Sequence, residues 1–249
     1  MPGSRILRRW LDWWGEAVGA LVFPWECPVC GGEAGASPFC ADCRSKLLAP
    51  ATAVCPRCAM PVGPFAEVGR GCSDCRGKSL GFDHAIALGP YDGPIRDLCL
   101  SLKHETNAWL APWLADVLVE ARPELKAEPA DTWVVPVPLH WKKHWQRGYN
   151  QAEALARGLA GRLSLRFRQP LRRLTATPPL ALLGRTERAR LLRGAFRARP
   201  WKSLEGRTVL LVDDILTSGA TSGAAARALK RAGAARVVVV VAARALGRP

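Results

Sequence analysis

Apolar positions along the chain follow two periods. Val209–Val212 and Val237–Val241 are unbroken apolar runs. Runs of this kind predict strands buried on both faces, as in a parallel sheet. Trp133–Leu139 predicts another such strand, with Pro136 and Pro138 ending its ladder and forcing a turn. Phe82–Tyr91, built around Ala85–Leu88, predicts an edge or first strand, and Phe167–Leu174 a further one. Between them the period changes to helical. Asp92-Gly93-Pro94 turns into a helix whose apolar face is Ile95, Leu98, Cys99 and Leu102, ending at Lys103. Cys99 reads as core packing. Helices also follow near Trp109–Ala121, over Gln151–Leu163, and over the Ala-rich Thr221–Ala232. Pro123–Asp131 reads as a loop, and Thr186–Arg193 as a short basic helix leading into Ala195–Arg199. Strands alternating with helices predict a doubly wound α/β domain over residues 81–245.

The first 24 residues behave differently. Ile6, Leu7, Trp10, Leu11, Trp14, Val18 and Leu21 recur at helical spacing, behind Arg5, Arg8 and Arg9. Asp12 and Glu16 break the segment, which is too short to span a bilayer. It predicts an amphipathic helix that packs on the protein or lies peripherally on a membrane surface. No secretory signal and no transmembrane segment are visible, so the expected location is cytoplasmic.

Residues 25–80 are organised by cysteine rather than by aliphatic residues. Eight of the nine cysteines form four C-x-x-C pairs: Cys27/Cys30, Cys40/Cys43, Cys55/Cys58 and Cys72/Cys75. Two such pairs converge on one tetrahedral metal, so eight thiolates predict two structural zinc ions. Small residues after Cys30 and Cys58 suit the tight turn of a zinc knuckle. Spacing leaves the pairing open between sequential and crossed. A disulfide framework is disfavoured where thiols stay reduced.

Candidate chemistry gathers after two of the predicted strands. Val209–Thr221 reads VLLVDDILTSGAT. Thr217, Ser218, Gly219, Ala220 and Thr221 open a helix, where free N–H groups, hydroxyls and a glycine make a phosphate cradle. Asp213 and Asp214 are acceptors for ribose hydroxyls or for a hydrated magnesium ion. The second loop follows Trp133–Leu139 and reads HWKKHWQRGYN. It offers Lys142, Lys143, Arg147, the backbone of Gly148, and Asn150 and Gln151, at the strand edge where ligands of open α/β sheets gather.

Charge adds a direction. The chain has a net charge of +15, and residues 141–207 hold 17 Lys/Arg against 3 Asp/Glu. This stretch either attracts polyanions or is a solvated basic surface. Trp141, Trp145, Tyr149, Phe167, Phe196 and Trp201 lie among its cations. Cations with stacking rings are how single-stranded nucleic acid is held without sequence preference. No Ser/His/Asp triad is visible.

The cysteine ladder, YDGPIRDL…LK, VPVPLHWKKHWQRGYNQA and VLLVDDILTSGAT, in this order from about Phe23 to Ala243, resemble the ComF family. That resemblance implies a zinc ribbon joined to a type I phosphoribosyltransferase-like parallel sheet flanked by helices. It implies that Asp213 and Asp214 contact the ribose of phosphoribosyl pyrophosphate (PRPP), held with magnesium, and that Thr217–Thr221 wrap its 5′-phosphate. Arg147, Gly148, Tyr149, Asn150 and Gln151 match the family's RG-aromatic-NQ motif, and Lys103 its helix-ending lysine. The implied role is handling of incoming single-stranded DNA in natural competence, with competence-machinery proteins as partners. An active phosphoribosyltransferase and a non-catalytic PRPP sensor are the alternatives. No catalytic residue is assignable. Where the family commonly has Gln and Asn in the segment before the last half, this chain has Leu180 and Leu191. Both positions bear on turnover and not on the phosphate cradle.

Overall fold

The computed structural model describes residues 25–35, 37–49, 53–140, 145, 148–175, 191–192, 194–199 and 204–246. The predicted N-terminal helix, the basic helix at 186–193 apart from Leu191 and Leu192, and Leu180 lie outside them. The chain divides into two compact units, Met1–Lys46 and Leu47–Pro249. The first contains a two-residue hairpin, β1 (Trp25–Glu26) against β2 (Glu33–Ala34), and most of helix α1 (Ala41–Leu48).

The second unit contains a five-stranded parallel sheet. Its strands are β3 (His84–Pro90), β4 (Trp133–Pro136), β5 (Arg166–Phe167), β8 (Thr208–Leu216) and β9 (Arg236–Arg244), in the order β3-β9-β8-β4-β5. The apolar runs occupy the middle of the sheet, and β3 is an edge, as the sequence predicts. Helix α2 (Gly93–Ser101) follows β3, and α3 (Leu110–Ala121) comes before β4. Helix α4 (Gln151–Leu163) follows β4, and α5 (Ala220–Arg231) joins β8 to β9.

Alternation along the strands accounts for the unbroken runs. Val209, Leu211, Val237, Val239 and Val241 share a core with Ala224, Ala225, Ala228 and Leu229 of α5. The intervening residues, including Leu210, Val212, Val238 and Val240, point to the opposite face. All of these are fully buried. Helices α3 and α4 pack on one another, and α4 packs on β4 and β8. A strand covered on both faces has no polar positions to offer except at its ends.

Two predicted elements are corrected. Phe167–Leu174 is not one strand. It splits into β5, parallel to β4, and β6 (Leu171–Arg173), which pairs antiparallel with β7 (Phe196–Ala198) in a separate ribbon. Pro170 stands at the break and has no N–H to continue the ladder. Within the predicted loop Pro123–Asp131, Pro123–Ala127 forms a 3-10 turn that buries Leu125.

Candidate functional site

Each C-terminal strand end contributes a different part of the site. Asp213 and Asp214 lie inside β8, partly buried, with Asp213 opposite Val241 of β9. The strand runs on to Leu216, then Thr217 and Ser218 lead to Gly219. Gly219 has φ 75 and caps α5 without a side-chain hydrogen bond. The first-turn N–H groups of α5 have no partner inside the helix, so they point at the space in front of it. Ser218 Oγ accepts from Ala220 N at 3.4 Å, and Thr217 is exposed. The five loop residues named from sequence are thus contiguous and accessible at one helix N-terminus.

The two carboxylates are crowded. Asp213 Oδ1 accepts from the Asp214 amide at 3.0 Å, and Asp214 Oδ1 from the Ile215 amide at 2.8 Å. Burial, then the neighbouring charge of Asp214, pushes the Asp213 carboxyl well above the usual carboxylate range. The positive charge of Arg173, on β6, acts in the opposite direction. The same burial lowers the Arg173 guanidinium, against the attraction of Asp213. Arg173 also lies over the Phe196 ring at 5.4 Å. The sequence does not single out Arg173, because nothing in its local pattern separates it from the surrounding arginines.

Gln151 closes the other side. Its Nε2 donates to Asp214 Oδ2 at 3.0 Å, while its Oε1, also buried, has no hydrogen-bond partner among the described residues. Asn150 is occupied structurally. Its side chain caps α4 by accepting from Ala152 N and holds β4's extension by donating to the Val137 carbonyl, each at 3.1 Å. Gly148 has φ 74, and a Cβ there would collide with the Glu105 carboxylate. The turn after Lys103 and the loop before α4 therefore meet at Glu105 and Gly148. Lys103 is half-buried nearby in sequence, and its charge is felt at Cys99, as is that of Asp214. Burial, reinforced by Asp214, pushes the Cys99 thiol up to about 12, which fits its expected role as packing. Lys142, Lys143 and Arg147 lie outside the described residues.

The aromatic positions separate. Trp145 is 87% exposed, whereas Phe196 is 3% exposed in the core beneath Arg173. The expectation that Phe196 is a stacking ring is therefore corrected. Phe167 is covered by Arg157 at 4.2 Å.

The cysteines group sequentially, Cys27/Cys30/Cys40/Cys43 and Cys55/Cys58/Cys72/Cys75, each with all sulfurs within 4.8 Å of one another. Zinc–sulfur bonds of about 2.3 Å in a tetrahedron place sulfurs about 3.8 Å apart. The separations match: Cys30–Cys40 3.7 Å, Cys55–Cys75 3.6 Å, Cys58–Cys72 3.5 Å and Cys72–Cys75 3.8 Å. Gly31 and Ala59, after the second cysteine of a pair, both adopt left-handed φ, 73 and 55, as the knuckle turn requires. Burial raises the Cys58 and Cys75 thiols. Burial opposes ionisation of Cys55 too, but amide donors from Cys72, Cys58 and Arg57 bring it down to about 7. Four thiolates this close need a cation between them, and the sulfur tetrahedron suits zinc.

A parallel sheet with an acidic pair and a glycine-capped helix at one strand end, preceded by two four-sulfur knuckles, defines a phosphoribosyltransferase-type domain joined to a double zinc ribbon. Residues 18–76 match the double zinc ribbon domain, and residues 148–248 match the phosphoribosyl transferase domain. The DNA utilization protein YhgH of Salmonella typhi is 30% identical over 226 residues, covering 88% of this chain and 96% of its own. Competence protein F of Haemophilus influenzae is 27% identical over 218 residues, 80% of this chain and 94% of its own. Competence protein ComFC of Bacillus subtilis is 31% identical over 206 residues, 80% of each. The chain belongs to the ComF family. Among the described residues no helix is long and apolar enough to cross a membrane.

Proposed function

We propose that this protein binds PRPP, or another 5-phosphoribosyl ligand, with magnesium at the end of β8, and serves in the handling of single-stranded DNA in the cytoplasm. One observation carries the first part: an acidic pair lies six and five residues before left-handed Gly219, which caps a helix N-terminus on the same strand–loop–helix unit. Thr217–Thr221 hold the 5′-phosphate. Asp213 and Asp214 hold the ribose hydroxyls or a hydrated magnesium, with Gln151 orienting Asp214 through its amide. Lys103, Lys142, Lys143, Arg147 and Gly148 serve the pyrophosphate end. Magnesium bound with the ligand would neutralise pyrophosphate charge. Calorimetry tests this site: PRPP with magnesium binds the wild type, and Asp213→Ala with Asp214→Ala abolishes the heat. Undiminished binding in the double mutant refutes it.

The DNA role rests on the names of the relatives, a DNA utilization protein and two competence proteins. Exposed Trp145 and the excess of cations over 141–207 support it. Single-strand affinity should fall steeply with salt, and Trp145→Ala should weaken it by about 1–3 kcal/mol. A flat salt profile removes this account. Turnover is the second reading, and release of pyrophosphate from PRPP with candidate bases decides it.

A further inference from the structure

Arg244, the last residue of β9, is 3% exposed and stands between the second sulfur tetrad and the loop after β8. Its Nε donates to the Cys58 carbonyl at 2.9 Å, and its Nη2 to Asp74 Oδ2 at 2.8 Å. Asp74 sits between Cys72 and Cys75, in a turn closed by Cys75 N to Cys72 O at 3.1 Å and Arg76 N to Cys72 O at 2.8 Å. The same guanidinium donates through Nη1 to the carbonyls of Leu216, Thr217 and Ala245, at 3.0, 2.6 and 2.6 Å. One planar group therefore holds both the metal knuckle and the entry to the helix-opening loop.

We propose that Arg244 is a positioning residue through which the second cysteine tetrad, with its metal, sets the aim of the phosphate loop. This rests on reading Thr217–Thr221 as that loop. Peptide planarity carries the argument. In a trans peptide the carbonyl and the next N–H point in opposite directions. Drawing the Leu216 and Thr217 carbonyls toward Arg244 turns the Thr217 and Ser218 N–H groups away from it. These are the first two donors of the loop. A bent or rotated guanidinium would release the Thr217–Ser218 peptide plane, while the Leu216 carbonyl keeps a second donor in the Ala245 amide at 2.9 Å. Its orientation is fixed at the far side by Cys58 and Asp74, whose backbone the sulfur tetrad organises. A lysine ammonium has no fork and cannot span these acceptors at once. The linker repeats the connection. A Cβ at Gly223 of α5 would collide with the Leu80 carbonyl, so the chain leaving the knuckle lies directly on the helix that the loop opens.

The test uses the full zinc-loaded chain and NMR order parameters of the amides from Thr217 to Ala220. Asp74→Asn keeps the shape and removes the charge, and Arg244→Lys keeps the charge and removes the fork. Each should lower these order parameters from the rigid range of about 0.85 to below about 0.6, with two zinc ions per chain retained and those of β4 and β8 unchanged. Should one variant lose its zinc, the other carries the measurement. Unchanged loop order parameters overturn the proposal, as does a fall spread evenly over the sheet. PRPP calorimetry on the wild type is the separate arm. A wild type that binds no PRPP, with loop amides still loosened in the variants, removes the ligand reading and keeps the positioning role. Where the wild type binds, Asp74→Asn should weaken PRPP about tenfold, and equal affinity overturns the positioning role.

Discussion

Two charged groups face different fates at neighbouring strand ends. Arg244 closes β9, paired with Leu216 of β8, and Asp213 lies three residues earlier on β8, paired with Val241 of β9. Each nitrogen of Arg244 has an acceptor, and its charge meets Asp74 at 2.8 Å. Asp213 has one like-charged neighbour in its own backbone, and its carboxyl is pushed up by burial and by that neighbour. A buried charge with full partners specifies geometry, while a buried charge held against a like charge stores cost that a bound cation or ligand relieves. The contrast separates a device of the fold from a device of function on adjacent strands.

The sharpest way to break the Arg244 side is to remove what holds its partners. Cys58→Ser, or chelation of the second tetrad, should have the largest effect of any change here. Structural zinc in small sites contributes on the order of 10 kcal/mol of folding free energy. This tetrad is fully buried, whereas in the first Cys30 is exposed and Cys40 half-buried. Zinc release to a chromogenic chelator should therefore show two phases, and Cys30→Ser should delete the faster one. A single phase, or loss of the slow phase in Cys30→Ser, contradicts the assignment. Next in size is Arg244→Met. It leaves Asp74 and several carbonyls without their buried donor and should cost about 3–5 kcal/mol in urea unfolding. A cost under about 1 kcal/mol would show that water replaces the guanidinium.

How much of this was legible in the sequence follows from the range of each interaction. Val209–Val212 and Val237–Val241 announce a two-sided strand because burial on both faces leaves no polar position to contradict it. The C-x-x-C pairs announce their metal because both ligands come from one turn; the choice between sequential and crossed pairing needed the third dimension. Asp213, Asp214 and Thr217–Thr221 were legible as a local strand–loop–helix unit. Arg173 and Arg244 were not. Their partners lie in distant segments, such as Asp74 for Arg244, and an arginine among 36 Lys/Arg carries no local mark of its contacts. The strand predicted over Phe167–Leu174 failed for a related reason. Pro170 was visible, but which neighbour each half would pair with was not.

The smallest effect tests the Asp213 side, and its sign is opposite to that of Arg244. Because the Asp213 carboxyl is raised in the folded chain, the folded state holds a proton that the unfolded chain has lost. Stability then falls as pH rises from the ordinary carboxylate range near 3.8 through the raised value, and the full cost is present above it. Asp213→Asn removes the ionisable group while keeping acceptor and shape. It should stabilise the apo protein at neutral pH by about 1 kcal/mol. The gain should shrink and vanish as pH falls toward 4, where the wild-type carboxyl is protonated. The same variant should bind PRPP with magnesium more weakly, since an amide neither attracts the cation nor accepts through two oxygens. Thermal melts from pH 4 to pH 8 check the first claim, and calorimetry the second. If Asp213→Asn melted lower than the wild type at pH 7, Asp213 would be a satisfied structural charge like Arg244, and the contrast between the two strand ends would fail.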